Sequence, residues 1–239
     1  MKTQILQALA ALALITTSAT AQDSPMDNHT ASYIAMPAAE GQTKAFAKFL
    51  AGAAPIVKKT EPGTVLWFAL QADDTLAIFD IFVDKDARNA HFSGAVAGAL
   101  NENADVLVAG GWDDGVVANI YNSSVLSVKA PVDLYTATTA TYINLEAAPG
   151  KGPELAALLT AAGPIVADTE PETLFWAALQ IDENSFAIFD IFANNAGRKA
   201  HFAGQVAGLL NKKASELVSG GWDDGVVANI NNFDILAIK

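Results

Sequence analysis

The chain contains no cysteine among its 239 residues. Disulfides, thiolate metal sites, iron–sulfur clusters, cysteine nucleophiles and a lipid anchor on an N-terminal cysteine are therefore excluded. Histidine is scarce too, since three residues in the whole chain are too few for a histidine-rich zinc site within one domain. The catalytic serine, zinc-protease and dinucleotide-binding motifs are also missing. The sequence predicts no bound metal ion.

Basic residues are few: 14 lysines and arginines stand against 26 aspartates and glutamates, which gives a net charge of −12. An acidic surface repels phosphate backbones and gains nothing from anionic lipids, so we expect neither nucleic acid nor a membrane surface as a partner. Hydrophobic residues make up 51% of the chain, enough for a sizeable core.

The first 21 residues have the pattern of a secretory signal peptide. Lys2 is followed by an apolar run over residues 5–15 and by Ala19-Thr20-Ala21, which predicts cleavage after Ala21. The apolar run is shorter than the roughly 20 residues of a membrane span. We therefore expect general secretion to the periplasm or the medium, with no membrane attachment after cleavage.

The rest of the chain is an internal repeat. Residues 110–120 recur unchanged as 220–230, and residues 77–82 recur as 187–192. We assign a first copy to residues 30–129, a linker to 130–138 and a second copy to 139–239. Each copy has the size of a complete domain, so the pattern indicates a domain duplication.

The hydrophobic periods within each copy predict the order β-α-β-β-α-β, with the second helix continued as a second piece. This is the ferredoxin-like arrangement, an α+β fold. The strand at residues 64–70 is apolar on both alternating faces, so one face can meet helices and the other can meet the second copy. We expect the two copies to close into one barrel, an internal pseudo-dimer within a monomeric chain.

Three segments carry a family resemblance: Thr60-Glu61-Pro62-Gly63-Thr64, the strand end Phe79-Asp80-Ile81-Phe82, and the helix running from Arg88 through His91 to Gly94. They resemble the antibiotic biosynthesis monooxygenase family of the dimeric α+β barrel group, over both copies. The resemblance implies a cavity between sheet and helices in each domain. The family contains cofactor-free quinone-forming oxygenases, haem-degrading oxygenases and members without known activity, and the resemblance does not distinguish among these three kinds.

His91 and His201 are the first candidate catalytic residues, as bases or proton shuttles. Arg88 and Arg198 lie three residues earlier on the same helix side, where a positive charge would favour a neutral imidazole. The resemblance also allows haem ligation by these histidines, which we keep as an alternative to a cofactor-free site. A packing role on the helix is the other interpretation.

Asp80 and Asp190 are the second candidates, because each lies among large apolar residues of its strand. Such a carboxylate must be paired, exposed or raised in pKa, and a raised carboxyl group can act as a base. A structural ion pair with the nearby arginine is the alternative. We add as candidate ligand-binding residues two tryptophans, two arginines and two phenylalanines: Trp67, Trp176, Arg88, Arg198, Phe82 and Phe192.

Three functions stay open from the sequence. The first is a cofactor-independent monooxygenase or related oxidoreductase acting on a small apolar, aromatic or quinol-like compound, with His91 or Asp80 as the base. The second is a non-catalytic periplasmic protein that binds a hydrophobic small molecule. The third is a haem-binding or haem-degrading protein. Because both copies retain the candidate residues, two sites are expected.

Overall fold

A computed structural model describes residues 29–239. The predicted signal peptide and its cleavage site lie outside the described residues. The first copy contains the elements β1 (Thr30–Pro37), α1 (Thr43–Thr60), β2 (Thr64–Ala72), β3 (Thr75–Phe82), α2 (Lys85–Phe92), α3 (Ala95–Leu107) and β4 (Ile120–Lys129). The second contains β5 (Thr139–Glu146), α4 (Gly152–Thr169), β6 (Thr173–Gln180), β7 (Ser185–Phe192), α5 (Asn195–Phe202), α6 (Gln205–Leu217) and β8 (Ile230–Ile238). The predicted order and the split second helix are confirmed.

Local sequence sets where the second helix of each copy begins and ends. The side chain of Asp84 accepts a hydrogen bond from the backbone amide of Ala87 and caps α2, and Asn194 caps α5 in the same way. After α3 the chain reverses at Gly110, whose φ of 88° lies in the left-handed region that glycine adopts without strain. These caps and turns direct the chain into the last strand of each copy.

The eight strands form one closed antiparallel barrel in the order β1-β3-β2-β8-β5-β7-β6-β4. Each copy contributes four strands in the ferredoxin-like order. The last strand of each copy is shared, because β4 pairs with β1 and then with β6, while β8 pairs with β5 and then with β2. The predicted α+β barrel within one chain is confirmed.

The barrel interior is packed with alternate side chains from both copies. Equivalent residues of the two copies stack at its centre: Tyr33 on Tyr142 and Phe79 on Phe189, each with ring centroids 3.7 Å apart. Aromatic stacking of this kind adds to the large apolar area that each ring buries. The expectation that one sheet face of each copy meets the same face of the other is therefore confirmed.

The outer face of each half-barrel is covered by its own helices. Phe46, Leu50, Ala53 and Val57 recur every three or four residues along α1 and are buried against this face. Within the described part of the chain, no helix is long and apolar enough to cross a membrane. This outer layer, between sheet and helices, is where the candidate residues meet.

Candidate functional site

A buried cluster of one histidine and two carboxylates lies in the outer layer of each copy. In the first copy, Nδ1 of His91 lies 2.5 Å from Oε2 of Glu61, and Nε2 lies 3.6 Å from Oδ2 of Asp80. The first contact is a charge-assisted hydrogen bond, whereas the second exceeds hydrogen-bond length and acts through charge alone. We call Glu61, Asp80 and His91 the first cluster.

Three different elements bring the first cluster together. Asp80 is in β3, where strand alternation turns its side chain away from the barrel interior and towards the helices. His91 is in the last turn of α2 and packs beside it. Glu61 is the residue that ends α1, directly before Pro62. The histidine therefore lies between a strand carboxylate and a helix-end carboxylate.

The second cluster, which consists of Glu170, Asp190 and His201, repeats this geometry. Nδ1 of His201 lies 2.5 Å from Oε2 of Glu170, and its Nε2 lies 3.7 Å from Oδ1 of Asp190. The hydroxyl of Thr173 lies 3.3 Å from the same glutamate oxygen and 3.4 Å from His201 Nδ1. Both copies of the duplicated domain therefore retain the same arrangement.

Burial sets the electrostatics of the two aspartates. Asp80 is completely buried, and neither of its carboxylate oxygens has a hydrogen-bond partner among the described residues. Desolvation raises its pKa to about 7, with His91 opposing the rise and Glu61 adding to it. The pKa of Asp190 is raised to about 7 by the same causes, desolvation first. Both carboxyl groups can therefore exchange a proton near neutral pH.

The pKa of His201 is raised, whereas its neighbour Arg198 in the sequence predicted that it would be lowered. Burial lowers the pKa of His201, but the charge of Asp190 and the hydrogen bond that His201 donates to Glu170 outweigh burial, and the net shift is upward. The pKa of His201 is therefore shifted in the direction opposite to the one expected from a neighbouring Arg198. The physical reason is that two carboxylates lie against the ring, whereas Arg198 does not contribute to the shift.

The arginines lie apart from the clusters. In the described residues Arg88 forms no ion pair with Asp80, and the imidazole of His91 lies beside this carboxyl group instead. Arg198 lines a polar cavity of about 490 Å³ at one end of the barrel, together with Gln71, Asp73 and Asp234. The structure therefore does not bring the arginines to the histidine sites.

The predicted aromatic residues surround the clusters. The ring centroid of Phe82 lies 5.3 Å from that of His91, and Phe192 lies 5.5 Å from His201. Trp67 is the cross-strand neighbour of Asp80 and is completely buried. Its indole N–H has no hydrogen-bond partner in the described region, and neither has that of Trp176. The phenylalanines therefore lie beside the histidines, and the tryptophans lie beside the aspartates.

A cavity of about 260 Å³ adjoins the first cluster. Its lining contains Glu61 and His91 together with Pro62, Gly63 and Gly94. Since His91 is 5% exposed, only an edge of the ring reaches this cavity. Among residues 29–239, no group of three or more His, Asp or Glu side chains has the arrangement of a metal site.

Sequence reasoning missed Glu61 and Glu170. Thr-Glu-Pro occurs at the same place in both copies, but neither glutamate is among the site residues predicted from the sequence. The signal that could have found it is an acidic residue retained before proline in each copy. Its contact with a histidine 30 or 31 residues further along depends on the packing of separate elements.

Several solved structures are similar to this chain. A candidate monooxygenase from Fusobacterium nucleatum has a TM-score of 0.72 at 14% identity, and the match covers 89% of this chain and 94% of that one. A candidate monooxygenase from Lactobacillus acidophilus has a TM-score of 0.70 at 10% identity, covering 89% and 96%. An anthrone oxidase-like protein has a TM-score of 0.56 at 10% identity, covering 89% and 93%.

No protein-family model matches the sequence, and no curated protein matches it. The likeness to the solved structures extends over nearly the whole described chain, at identities of 10–14%. At the level of the fold, this chain is similar to monooxygenase-like ferredoxin-fold proteins.

Proposed function

We propose that this protein is a monooxygenase-like oxidoreductase that oxidises a small, electron-rich aromatic or quinol-like compound without a cofactor. The observation that carries the proposal is the first cluster: a histidine held by Glu61, next to a buried carboxyl group with a pKa of about 7, at the edge of a cavity. The fold likeness to monooxygenase-like proteins supports the reaction class.

The chemistry requires a base in a dry place. Glu61 accepts a hydrogen bond from the Nδ1–H group of His91. The other ring nitrogen, Nε2, is then the basic one, and it lies on the side of Asp80. A substrate C–H or O–H proton can enter the cluster at Glu61 or at the exposed edge of His91, which line the cavity, and can pass on to the buried pair of Nε2 and Asp80. The resulting carbanion or phenolate can give electrons to O2. For a methylene flanked by aromatic rings the balance is CH2 plus O2 giving C=O plus H2O. The protein holds the substrate and moves protons.

The ring nitrogens of His91 make haem ligation the weaker alternative. Nδ1 is bonded to Glu61, Nε2 lies beside Asp80, and the ring is 5% exposed. An iron atom would have to displace one carboxylate and open the helix layer. We therefore do not include haem in the proposed mechanism.

A binding protein without turnover would use the same cavity, and turnover distinguishes it from the enzyme.

The test is oxygen uptake by the purified protein with anthrone and with a series of hydroquinones. We expect uptake above the protein-free rate, and loss of it when His91→Gln and His201→Gln are combined. Asn89→Ala combined with Lys199→Ala is the matched control, because both side chains are exposed on the same helices α2 and α5. Uptake at the protein-free rate with every compound would contradict the proposal, and so would full activity in the double histidine variant.

A further inference from the structure

A lysine from the opposite copy reaches the glutamate segment of each cluster. The Lys239 ammonium group donates a hydrogen bond to the backbone carbonyl of Glu61 at 2.9 Å and another to that of Thr64. The Lys129 ammonium group donates to the carbonyl of Glu170 at 2.6 Å. Each lysine is the last residue of its own copy, yet its partner belongs to the other copy.

Barrel closure is what brings each lysine to its partner. Strand β8 pairs with β2, and the backbone amide of Lys239 donates to the carbonyl of Trp67. Strand β4 pairs with β6, where Lys129 lies opposite Trp176. Each lysine therefore lies next to the tryptophan that neighbours the aspartate of the other copy, at the same height along the barrel axis.

We propose that Lys129 and Lys239 are positioning residues, each of which completes the candidate site of the other copy. The role of the lysines in catalysis rests on the proposed function. Their contacts with the glutamate segments do not depend on it. The lysine fixes the short segment between helix and strand, residues 61–64 or 170–173, that carries the glutamate. The glutamate in turn holds Nδ1 of the histidine.

The burial of Lys129 supports a specific role. Its side chain is 6% exposed, and a buried ammonium group is costly unless it is paired. Lys129 adds a fourth titratable group next to the second cluster of Glu170, Asp190 and His201. Among these the lysine lowers the pKa of His201 while the carboxylates raise it. The lysine therefore acts on His201 in two ways, through its own charge and through the glutamate segment that it holds.

The first experiment is NMR titration of the histidine rings in the full chain. We expect Lys129→Met, which removes both the charge and the donor, to change the pKa of His201 and to leave the titration of His91 unchanged. Lys239→Met should alter the chemical shifts of His91 and leave those of His201 unchanged, so each variant is the control for the other. Lys129→Gln, which keeps a donor but no charge, should raise the pKa of His201, because the lysine charge lowers it and Glu170 stays in place. The pKa of His201 in Lys129→Met should lie below that in Lys129→Gln, because Glu170 is then no longer held. Equal pKa values in the two variants would contradict the positioning role.

The second experiment measures oxygen uptake with only the first site intact, in the His201→Gln background. There we expect Lys239→Met to lower kcat by about tenfold or more, because the base is no longer held in place. Lys239→Arg should restore much of that loss. The exposed Lys212→Met is the matched control.

Two results would overturn the inference. One is a lysine variant that perturbs the histidine of its own copy, or neither histidine, while the fold stays intact by circular dichroism. The other is an unchanged kcat in Lys239→Met when the parent protein turns over. If the parent has no turnover, the proposed function fails, while the titration still decides whether the lysines act across the copies.

Discussion

His201 and Glu170 share a hydrogen bond of 2.5 Å between Nδ1 and Oε2 in the buried outer layer of the second copy, and His91 and Glu61 share the same bond in the first. In each copy the glutamate ends the first helix and the histidine lies in the last turn of the next. The bond therefore joins the two helices across the edge of the half-barrel. It also fixes the orientation of a titratable ring beside a buried carboxyl group.

Replacing Glu170 by glutamine should lower the pKa of His201, because both the hydrogen bond and the charge of Glu170 raise it. Loss of a charge-assisted hydrogen bond should also reduce the free energy of unfolding by about 1.5–3 kcal/mol. NMR titration of the ring and urea denaturation are the measurements. Glu172→Gln is the control, since this glutamate is exposed two residues away. An unchanged titration in Glu170→Gln would show that the bond does not set the charge of His201.

Stability should fall as the pH rises from about 4 to about 7. Asp80 and Asp190 have pKa values of about 7 in the fold, raised by burial from an ordinary 3.8. Well below pH 3.8, both carboxyl groups are protonated in the folded and the unfolded chain, so no stability is lost. Between pH 4 and 7 the unfolded chain releases these protons first, which costs the fold on the order of 4 kcal/mol for each aspartate. The raised pKa of His201 acts in the same direction.

Combining Asp80→Asn with Asp190→Asn should remove most of this pH dependence, because an amide does not titrate. In urea denaturation, the stability of the variant relative to the parent should increase from pH 5 to pH 8. Asp73→Asn is the control, since Asp73 is exposed and asparagine tolerates its φ of 50°. A parent protein that is more stable at pH 8 than at pH 5, with no change in the double variant, would contradict the prediction.

Gly94 and Gly204 should not tolerate alanine. A Cβ at Gly204 would lie 2.6 Å from Oε1 of Glu170 and 2.8 Å from the carbonyl oxygen of His201, and at Gly94 the corresponding distances are 2.9 Å and 3.0 Å. We expect Gly204→Ala to displace the carboxylate and to cost about 1–3 kcal/mol of stability. The pKa of His201 should fall as Glu170 moves away.

Two further glycines, four residues along in α3 and α6, provide the control. A Cβ at Gly98 or Gly208 meets no atom within 4 Å. Alanine there should stabilise the helices by up to about 1 kcal/mol, because it removes the conformational freedom of glycine. Thermal unfolding of the four variants measures the difference. Equal changes in stability on replacing Gly204 and Gly208 would mean that Glu170 does not need a glycine at position 204 in order to reach His201.

The amino-acid sequence by itself determined the duplication, the element order and the α+β barrel. Strand alternation in residues 64–70, apolar on both faces, required a second cover for the sheet, and the second copy was present in the same chain to supply it. Local signals such as Asp84 at the start of α2 and Gly110 after α3 act within a few residues. Sequence reasoning recognises such signals because their physics is local.

The composition of the site was decided by the tertiary structure. His91 and Asp80 were candidates from sequence, but the helix spacing pointed to Arg88 as the neighbouring charge. The docking of α2 on the sheet instead placed His91 beside Asp80, and the end of α1 added Glu61. Lys129 and Lys239 reach the glutamate segments only when the barrel closes, 41 and 178 residues away in sequence. Such contacts depend on how whole elements pack, and no local pattern in the chain encodes them.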